Sequence, residues 1–214
     1  AASVGLGINA LDMEQTIYTL LMNPKADVAA TVCRTATPNL DIIPANIDLS
    51  AAEVQLVNEV ARESALARVL RRVEAEYDVI LIDCQPSLGL LAVNALTAAH
   101  GVIVPVEAEF FALRGVALLV ETIETVRDRI NPRLKIDGIV ATMVDSRTLH
   151  SREVLQRLQE AFGDLVFDTR IGRTIKFPDA SVATEPILSY APNHAGSHAY
   201  RRLAREVIAR GDAA

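Results

Sequence analysis

Cysteine is scarce in this sequence of 214 residues: only Cys33 and Cys84 occur, far apart and outside any C-x-x-C spacing. This scarcity argues against a disulfide framework and against a Cys/His zinc site. No apolar run approaches the roughly 18–20 residues that cross a bilayer, and no signal-peptide pattern opens the chain. We therefore expect a soluble, cytoplasmic protein whose length suits one large domain.

A Gly-Lys dipeptide is also absent. The sequence has three lysines, and none of them follows a glycine: Lys25, Lys135 and Lys176. The phosphate-binding loop G-x-x-x-x-G-K-[ST] requires that dipeptide, because its lysine neutralises the charge of phosphates that the loop amides hold. The closely spaced Gly5 and Gly7 are typical of an ordinary turn. Motifs alone would reject ATP binding.

Charge is unevenly spread along the chain, whose net charge is −6. Residues 1–126 carry 7 Lys+Arg against 16 Asp+Glu, a balance of −9, whereas residues 127–214 carry 14 against 11, a balance of +3. Any contact with a polyanion should therefore lie in the later part. The alternative is that these arginines form a solvated face offset by nearby acids.

Short aliphatic runs at 40–43, 78–83, 101–106 and 136–143 predict strands buried on both faces of a parallel sheet. Helical spacing predicts helices between them. One begins at Ser50, an N-cap with Glu53 three residues on, and others lie at 88–99, 110–130, 149–161 and 195–210. The alternation predicts an α/β fold with a mostly parallel sheet and helices on both faces. No linker or repeat divides the chain, so we expect a single domain over 1–214.

Asp83 ends the predicted strand 78–83, at the sheet edge where ligands bind in open parallel sheets. Four aliphatic residues followed by aspartate are typical of the P-loop NTPase carboxylate that helps to hold Mg²⁺. The alternative is an aspartate that satisfies backbone donors of the following turn.

The stretch around Asp83 resembles the Walker B segment of the ParA/Soj chromosome-partitioning ATPases. Further segments resemble that family in the same order: AASVGLG at 1–7, YDVILIDCQPSLGLLAVNAL at 77–96, PVEAEFFALRGVALLVETI at 105–123, GIVATMVDSRTLHSREVL at 138–155 and VFDTRIGRT at 166–174. The resemblance implies a P-loop NTPase fold of the SIMIBI-like type. It also implies an N-terminally incomplete domain, because the family's first strand, lysine-bearing loop and first helix have no match here.

The resemblance implies ATP and Mg²⁺ as cofactors of the complete family protein. Asp83 would be the catalytic-site carboxylate that supports Mg²⁺ through water, and Gly172 and Thr174 would lie beside the nucleotide base. Two departures weaken this assignment: the family usually has proline and asparagine at those base-side positions, and proline in place of Gln85. Because the loop lysines and the switch aspartate are missing, we expect the chain as written to be inactive as an ATPase.

For partners, the resemblance implies non-specific DNA, a homodimer formed with ATP and a ParB/Spo0J-like activator of slow hydrolysis, with a nucleoid-associated location. Arg147 and Arg173 match arginines that the family uses on the DNA backbone. Further candidates for the same face are Arg152, Arg157 and Lys176.

Two alternatives remain open. The first is a MinD-like membrane-associated positioning ATPase, because residues 199–210 place Tyr200, Leu203, Val207 and Ile208 on one helix face. The segment is short and lacks Trp and Phe, so we expect it to dock onto the domain and consider a membrane partner unlikely. The second is a truncated, non-enzymatic interaction module.

Overall fold

A computed structural model of the chain describes residues 2–109 and 112–212. Helices outnumber strands along these residues. The elements are, in chain order, α1 (Ala2–Gly5), α2 (Ile17–Met22), α3 (Val28–Thr31), β1 (Cys33–Arg34), β2 (Asp41–Ile42), α4 (Leu49–Gln55), α5 (Ala65–Leu70), α6 (Leu90–Ala98), β3 (Gly101–Glu107), α7 (Ala112–Arg129), β4 (Lys135–Thr142), α8 (Leu149–Phe162), α9 (Lys176–Val182), α10 (Ile187–Tyr190) and α11 (Ala195–Asp212).

These elements form two compact units. The first comprises residues 1–99 and 129–131, and the second comprises residues 100–128 and 132–214. Each unit has its own apolar core, described separately below. The expectation of a single domain over 1–214 stays a prediction.

The first unit is held together by short helices that bury small and aliphatic side chains. Leu21 of α2, Ala52 of α4, Leu66 of α5 and Ala95 of α6 lie in one core cluster. Beside it, the buried side chain of Asn94 donates to the Arg62 carbonyl at 2.9 Å and accepts from the Leu66 amide at 3.1 Å. The side-chain amide of Asn94 thus supplies hydrogen-bond partners to backbone groups of the loop before α5 and of α5 itself.

Two strand predictions in the first unit are corrected by the structure. The strand predicted at 40–43 is reduced to β2, which pairs antiparallel with β1 over two residues. The strand predicted at 78–83 does not form: its residues belong to no helix or sheet in the described chain, and the side chains of Val79 and Leu81 are 71% and 83% exposed. Apolar content alone does not make a strand, because a strand also needs a hydrogen-bonded neighbour.

The predicted N-cap at Ser50 is also wrong. Helix α4 begins at Leu49, so Ser50 lies inside it and its hydroxyl donates to the Ile47 carbonyl at 2.8 Å. Glu53 does not close a capping box; its carboxylate accepts from the Leu91 amide at 3.2 Å and thereby serves the N-terminus of α6.

The second unit is built around the parallel pair β3 and β4, which confirms the strands predicted at 101–106 and 136–143. The register runs from Gly101 opposite Lys135 to Glu107 opposite Thr142, with one irregularity near Val102. The chain between Val166 and Arg173 then follows the other edge of β4, where the Phe167 amide donates to the Ile139 carbonyl at 2.8 Å. Strand β4 therefore lies between two parallel neighbours.

Alternating side chains of β4 face two different helical layers. Ile139 and Ala141 pack with residues of α7 and α8, whereas Val140 packs with α11 through a cluster that includes Leu203 and Val207. Helices thus cover both faces of the parallel sheet, as the sequence predicts. The predicted helices at 149–161 and 195–210 are confirmed as α8 and α11. The one at 110–130 is confirmed as α7, although its first two predicted residues lie outside the described chain.

Helix α11 is fastened to the sheet by two charged side chains. Glu206 accepts from the backbone amides of Asp168 and Thr169 at 2.8 and 3.0 Å. Arg210 lies 4.1 Å from the centroid of the Phe167 ring and donates to the Val166 carbonyl at 3.0 Å. The helix docks onto its own unit, as expected for residues 199–210, although Ile208 on the predicted apolar face is 62% exposed.

Candidate functional site

Asp83 lies in the first unit with an exposed side chain. Its Oδ2 accepts a hydrogen bond from the Ala2 amide at 3.1 Å. That bond uses one of the acceptor positions of the carboxylate, and Mg²⁺ in phosphate sites commonly takes only one or two carboxylates and keeps several waters. Asp83 thus fits a single, water-mediated metal contact. Across residues 2–109 and 112–212, no group of three His, Cys, Asp or Glu side chains is arranged to hold a metal by itself.

The remaining predicted site residues all lie in the second unit, on two loops that leave the sheet together. After β4, the Val144 amide donates to the Ile171 carbonyl at 3.1 Å, and the Arg173 amide donates to the Val144 carbonyl at 3.0 Å. Val144 and Gly172 form a parallel bridge at the same point. These backbone bonds hold the loop that carries Arg147 against the loop that carries Arg173.

Met143 redirects the chain between β4 and the first of these loops. Its φ is +53°, in the left-handed region that non-glycine residues seldom occupy. Such a conformation carries local strain and is found at positions fixed by their surroundings. Met143 lies between Thr142, the last residue of β4, and Val144, whose backbone hydrogen bonds join the two loops.

Arg147 is bound to a carboxylate two residues away. Its Nε and Nη2 donate to the two oxygens of Asp145 at 2.9 and 2.8 Å, and its backbone amide donates to Asp145 Oδ1 at 3.1 Å. These hydrogen bonds lower the pKa of Asp145 to about 2, and the positive charge of Arg173 contributes in the same direction. The guanidinium is solvent-accessible, with its side chain 87% exposed, but it is not a free cation.

Arg173 has a looser partner. Its Nη2 lies 4.0 Å from Oε1 of Glu109, and both side chains are 63% exposed. A pair this long and this exposed stabilises the fold little and yields readily to another anion. Both predicted DNA-contact arginines lower the pKa of Asp145. Each also has its own acidic partner, which is Asp145 for Arg147 and Glu109 for Arg173.

The predicted base-side residues have ordinary structural roles. A side chain at Gly172 would approach the Val144 carbonyl no closer than 3.7 Å, so the fold does not require glycine there. The hydroxyl of Thr174 accepts from the Lys176 amide at 3.2 Å and lies 3.5 Å from Nε2 of His194. Their contact with a nucleotide base stays a prediction.

Other basic residues of the second unit divide into paired and unpaired groups. Lys176 is paired: its Nζ lies 3.1 Å from Oδ2 of Asp179, and the hydrogen bond to Asp179 raises the pKa of Lys176. Arg152 is exposed on α8, and Arg170, on the segment before Gly172, is exposed too. Sequence reasoning missed Arg170, which lies between the buried residues Thr169 and Ile171, as an outward-pointing position beside a strand does.

Comparison with known proteins identifies the family. The AAA domain family matches residues 1–136. An uncharacterized protein of Mycobacterium tuberculosis is 55% identical over 210 residues, which are 98% of this chain and 66% of that protein. The sporulation initiation inhibitor protein Soj of Bacillus subtilis is 42% identical over 98% of this chain and 83% of its own length, and the chromosome partitioning protein ParA of Caulobacter vibrioides is 44% identical over 97% and 78%.

The chain belongs to the ParA/Soj family. It spans slightly less than two thirds of the mycobacterial relative, at 66% of that length. The predicted family and the predicted α/β fold of P-loop NTPase type are thereby confirmed.

Solved structures are similar to this chain in fold. Cobyrinic acid a,c-diamide synthase from Mycobacterium smegmatis superposes with a TM-score of 0.81 at 36% identity, covering 95% of this chain and 75% of that one. The same protein has been crystallised with an ATP analogue and magnesium. The cell division ATPase MinD of Pyrococcus furiosus, at 20% identity and a TM-score of 0.75 over 96% of this chain and 79% of its own, shows a likeness of fold alone.

No helix within the described residues is both long enough and apolar enough to cross a membrane. The part of α11 on which the MinD-like alternative depends is largely engaged, since Leu203 and Val207 pack against Phe167 and Val140.

Proposed function

We propose that this protein functions as a ParA/Soj-like ATPase of chromosome or plasmid partitioning. In the complete family protein this function would comprise binding of non-specific DNA, dimerisation with ATP and slow ATP hydrolysis stimulated by a ParB-type partner. The observation that carries the proposal is the pair of loops joined at Val144, which brings Arg147 and Arg173 to the same end of the sheet. Arginines held on a fixed surface suit phosphate oxygens, and phosphate contacts give binding that is independent of sequence.

Within this proposal the 214 residues have two separate roles. Unit one supplies Asp83, a single carboxylate suited to water-mediated contact with Mg²⁺, which would neutralise phosphate charge when bound. Unit two supplies the arginine-bearing loops. The amides and lysines that hold phosphates in this class have no counterpart among these residues, because none of the three lysines follows a glycine.

A filter-binding assay tests the nucleotide switch. Retention of a random duplex DNA by the protein is compared with ATP–Mg²⁺, with ADP–Mg²⁺ and without nucleotide. We expect ATP to raise retention, because a dimer presents two arginine surfaces to one duplex and so increases their effective concentration. Retention that is the same in all three states would favour an interaction module without a nucleotide switch.

Phosphate release tests the expectation that the 214-residue chain is inactive as an ATPase. The purified 214-residue chain and its Asp83→Ala variant should release phosphate from ATP–Mg²⁺ at the same background rate, since the residues that stabilise the transferring phosphoryl group are lacking. Turnover by the unsubstituted chain above that of Asp83→Ala would refute the expected inactivity.

A further inference from the structure

A cavity of about 350 Å³ opens on the second unit beside α8. Its lining consists of Arg152, Leu155, Gln156, Gln159, Glu160 and Arg170. A water molecule occupies about 30 Å³ in the liquid, so this volume has room for a phosphate group with several waters. The cavity combines two arginines with amide groups and one aliphatic side chain, a lining that suits an anionic ligand.

The two arginines of this cavity differ from Arg147 and Arg173 in having no acidic partner. Within the described residues, neither Arg152 nor Arg170 forms an ion pair with a carboxylate. The carboxylate of the cavity, Glu160, accepts instead from the Gln156 amide group at 2.8 Å. The lining therefore carries a formal net charge of +1. Both guanidinium groups can donate hydrogen bonds to a ligand.

Asp145 accepts from Nε and Nη2 of Arg147, and its negative charge offsets that of the guanidinium. An anion can use the remaining N–H groups of Arg147, but it meets no net positive charge from this pair. An anion beside Arg152 and Arg170 meets two guanidinium charges against the one carboxylate of Glu160. Two guanidinium groups beside one cavity can each donate paired hydrogen bonds to a phosphate.

We propose that this cavity is a phosphate-binding site of the chain, and that Arg152 and Arg170 hold a backbone phosphate of DNA more strongly than Arg147 and Arg173 do. This assignment rests on the proposed DNA binding for its biological ligand, but the phosphate chemistry is independent of it. The cavity also involves the segments already described: Arg152 lies in α8, which follows the loop of Arg147, and Arg170 precedes Arg173 on the segment after α8 that runs beside β4. A polyanion bound to the joined loops therefore continues along the same two segments.

The test uses NMR signals of the arginine Nε–Hε groups in the 214-residue chain. Inorganic tripolyphosphate is the first probe, and a random 24-base-pair duplex is the second. Tripolyphosphate should shift the Arg152 and Arg170 signals at concentrations that leave Arg147 nearly unmoved, and the duplex should shift the same two signals. Equal shifts at Arg147 and Arg173, or no shift at Arg152 and Arg170, would overturn the proposal.

A pair of double variants provides the affinity readout. Arg152→Ala with Arg170→Ala should weaken duplex binding at low salt by about tenfold, since two phosphate contacts are lost. The matched control, Arg202→Ala with Arg205→Ala, removes the same charge from exposed positions of α11 and should change binding far less. Equal losses in both double variants would contradict the phosphate site.

The outcomes also separate this inference from the function on which it draws. If tripolyphosphate shifts Arg152 and Arg170 but no duplex binds, the phosphate site stands and DNA binding is refuted. If the duplex binds equally well to the Arg152/Arg170 variant and to the unsubstituted chain, DNA binding stands and the site is refuted.

Discussion

At the scale of single residues, the acidic partner of an arginine limits its contact with a phosphate more than its solvent exposure does. Arg147 is the most accessible of the predicted contact residues, yet Asp145 binds it through both side-chain oxygens. The carboxylate stays ionised down to unusually low pH, because hydrogen bonds from Arg147 hold the pKa of Asp145 at about 2. Physiological changes of pH therefore do not release Arg147.

Replacing Asp145 by asparagine should release Arg147 and strengthen DNA binding about threefold, because a phosphate no longer competes with a carboxylate. Fluorescence anisotropy with a labelled random duplex measures the change. Asp164→Asn, which removes the same charge from an exposed position of the same unit, is the control. A gain that is equal in both variants would mean that net charge, and not the release of Arg147, is responsible.

The same pair has a defined pH dependence. The pKa of Asp145 is lower in the folded chain than the value near 3.9 of an unfolded aspartate. The pair therefore stabilises the fold above about pH 4, and this contribution is lost as the pH falls towards 2. The carboxyl carbon signal of Asp145 should accordingly titrate with a midpoint at a pH of about 2; a midpoint near 4 would contradict the bidentate pair.

At the scale of elements, β4 organises the second unit because it has a parallel neighbour on each edge and a helical layer on each face. Gly138 of β4 is packed closely against a buried aromatic ring. A Cβ atom built there overlaps the ring of Phe167, which is buried, and approaches the guanidinium of Arg210 at 2.9 Å. Glycine is needed at this point because the sheet and the segment after α8 approach each other closely.

Gly138→Ala should lower the free energy of unfolding by about 1–3 kcal/mol, since the Phe167 ring has to move. Gly115→Ala is the matched control: Gly115 lies within α7 with no atom within 4 Å of an added Cβ. That substitution should raise stability by about 0.5–1 kcal/mol through helix propensity. Urea unfolding of the three proteins measures both effects, and a neutral Gly138→Ala would contradict the packing described here.

The sequence predicted those elements whose stability depends on their own residues and their immediate neighbours. The aliphatic runs that form β3 and β4 and the long helices α7, α8 and α11 belong to this group. The run at 78–83 has the same composition, but it forms no strand because no other described segment pairs with it. Strand formation is decided by a partner that composition does not reveal.

The candidate site was predictable in part for the same reason. Family resemblance located Arg147 and Arg173, and the structure places their loops together through backbone bonds at Val144. The ion pair between Arg147 and Asp145 and the cavity beside Arg170 depend on side-chain directions, which spacing along the chain does not determine. The sequence D-S-R contains a hint, since an aspartate often accepts from the amide two residues later.

At the scale of the whole chain, exposed apolar surface and uneven charge have different consequences. Val79 and Leu81 are 71% and 83% exposed on a segment that belongs to no sheet in the described chain. An exposed aliphatic segment outside a sheet can associate with another molecule. We therefore expect the purified 214-residue chain to self-associate.

Light scattering over a concentration series measures this association. Val79→Ser with Leu81→Ser should reduce it, whereas Val60→Ser with Val182→Ser, at positions that are 89% and 85% exposed, should leave it nearly unchanged. A monodisperse monomer that melts cooperatively would contradict the expectation for the unsubstituted chain.

The uneven charge favours residues 127–214 as the surface for a polyanion, because Lys and Arg exceed Asp and Glu there.

The central claim is that arginines of the second unit contact DNA phosphates independently of sequence. The most direct measurement is the dependence of duplex affinity on salt concentration, for the unsubstituted chain and for a variant with alanine at Arg147, Arg152, Arg170 and Arg173. We predict a linear fall of log K with log salt, whose slope becomes less negative by about 0.9 for each phosphate contact that the variant loses. An identical slope in the two proteins, or affinity that depends on base sequence, would contradict the account.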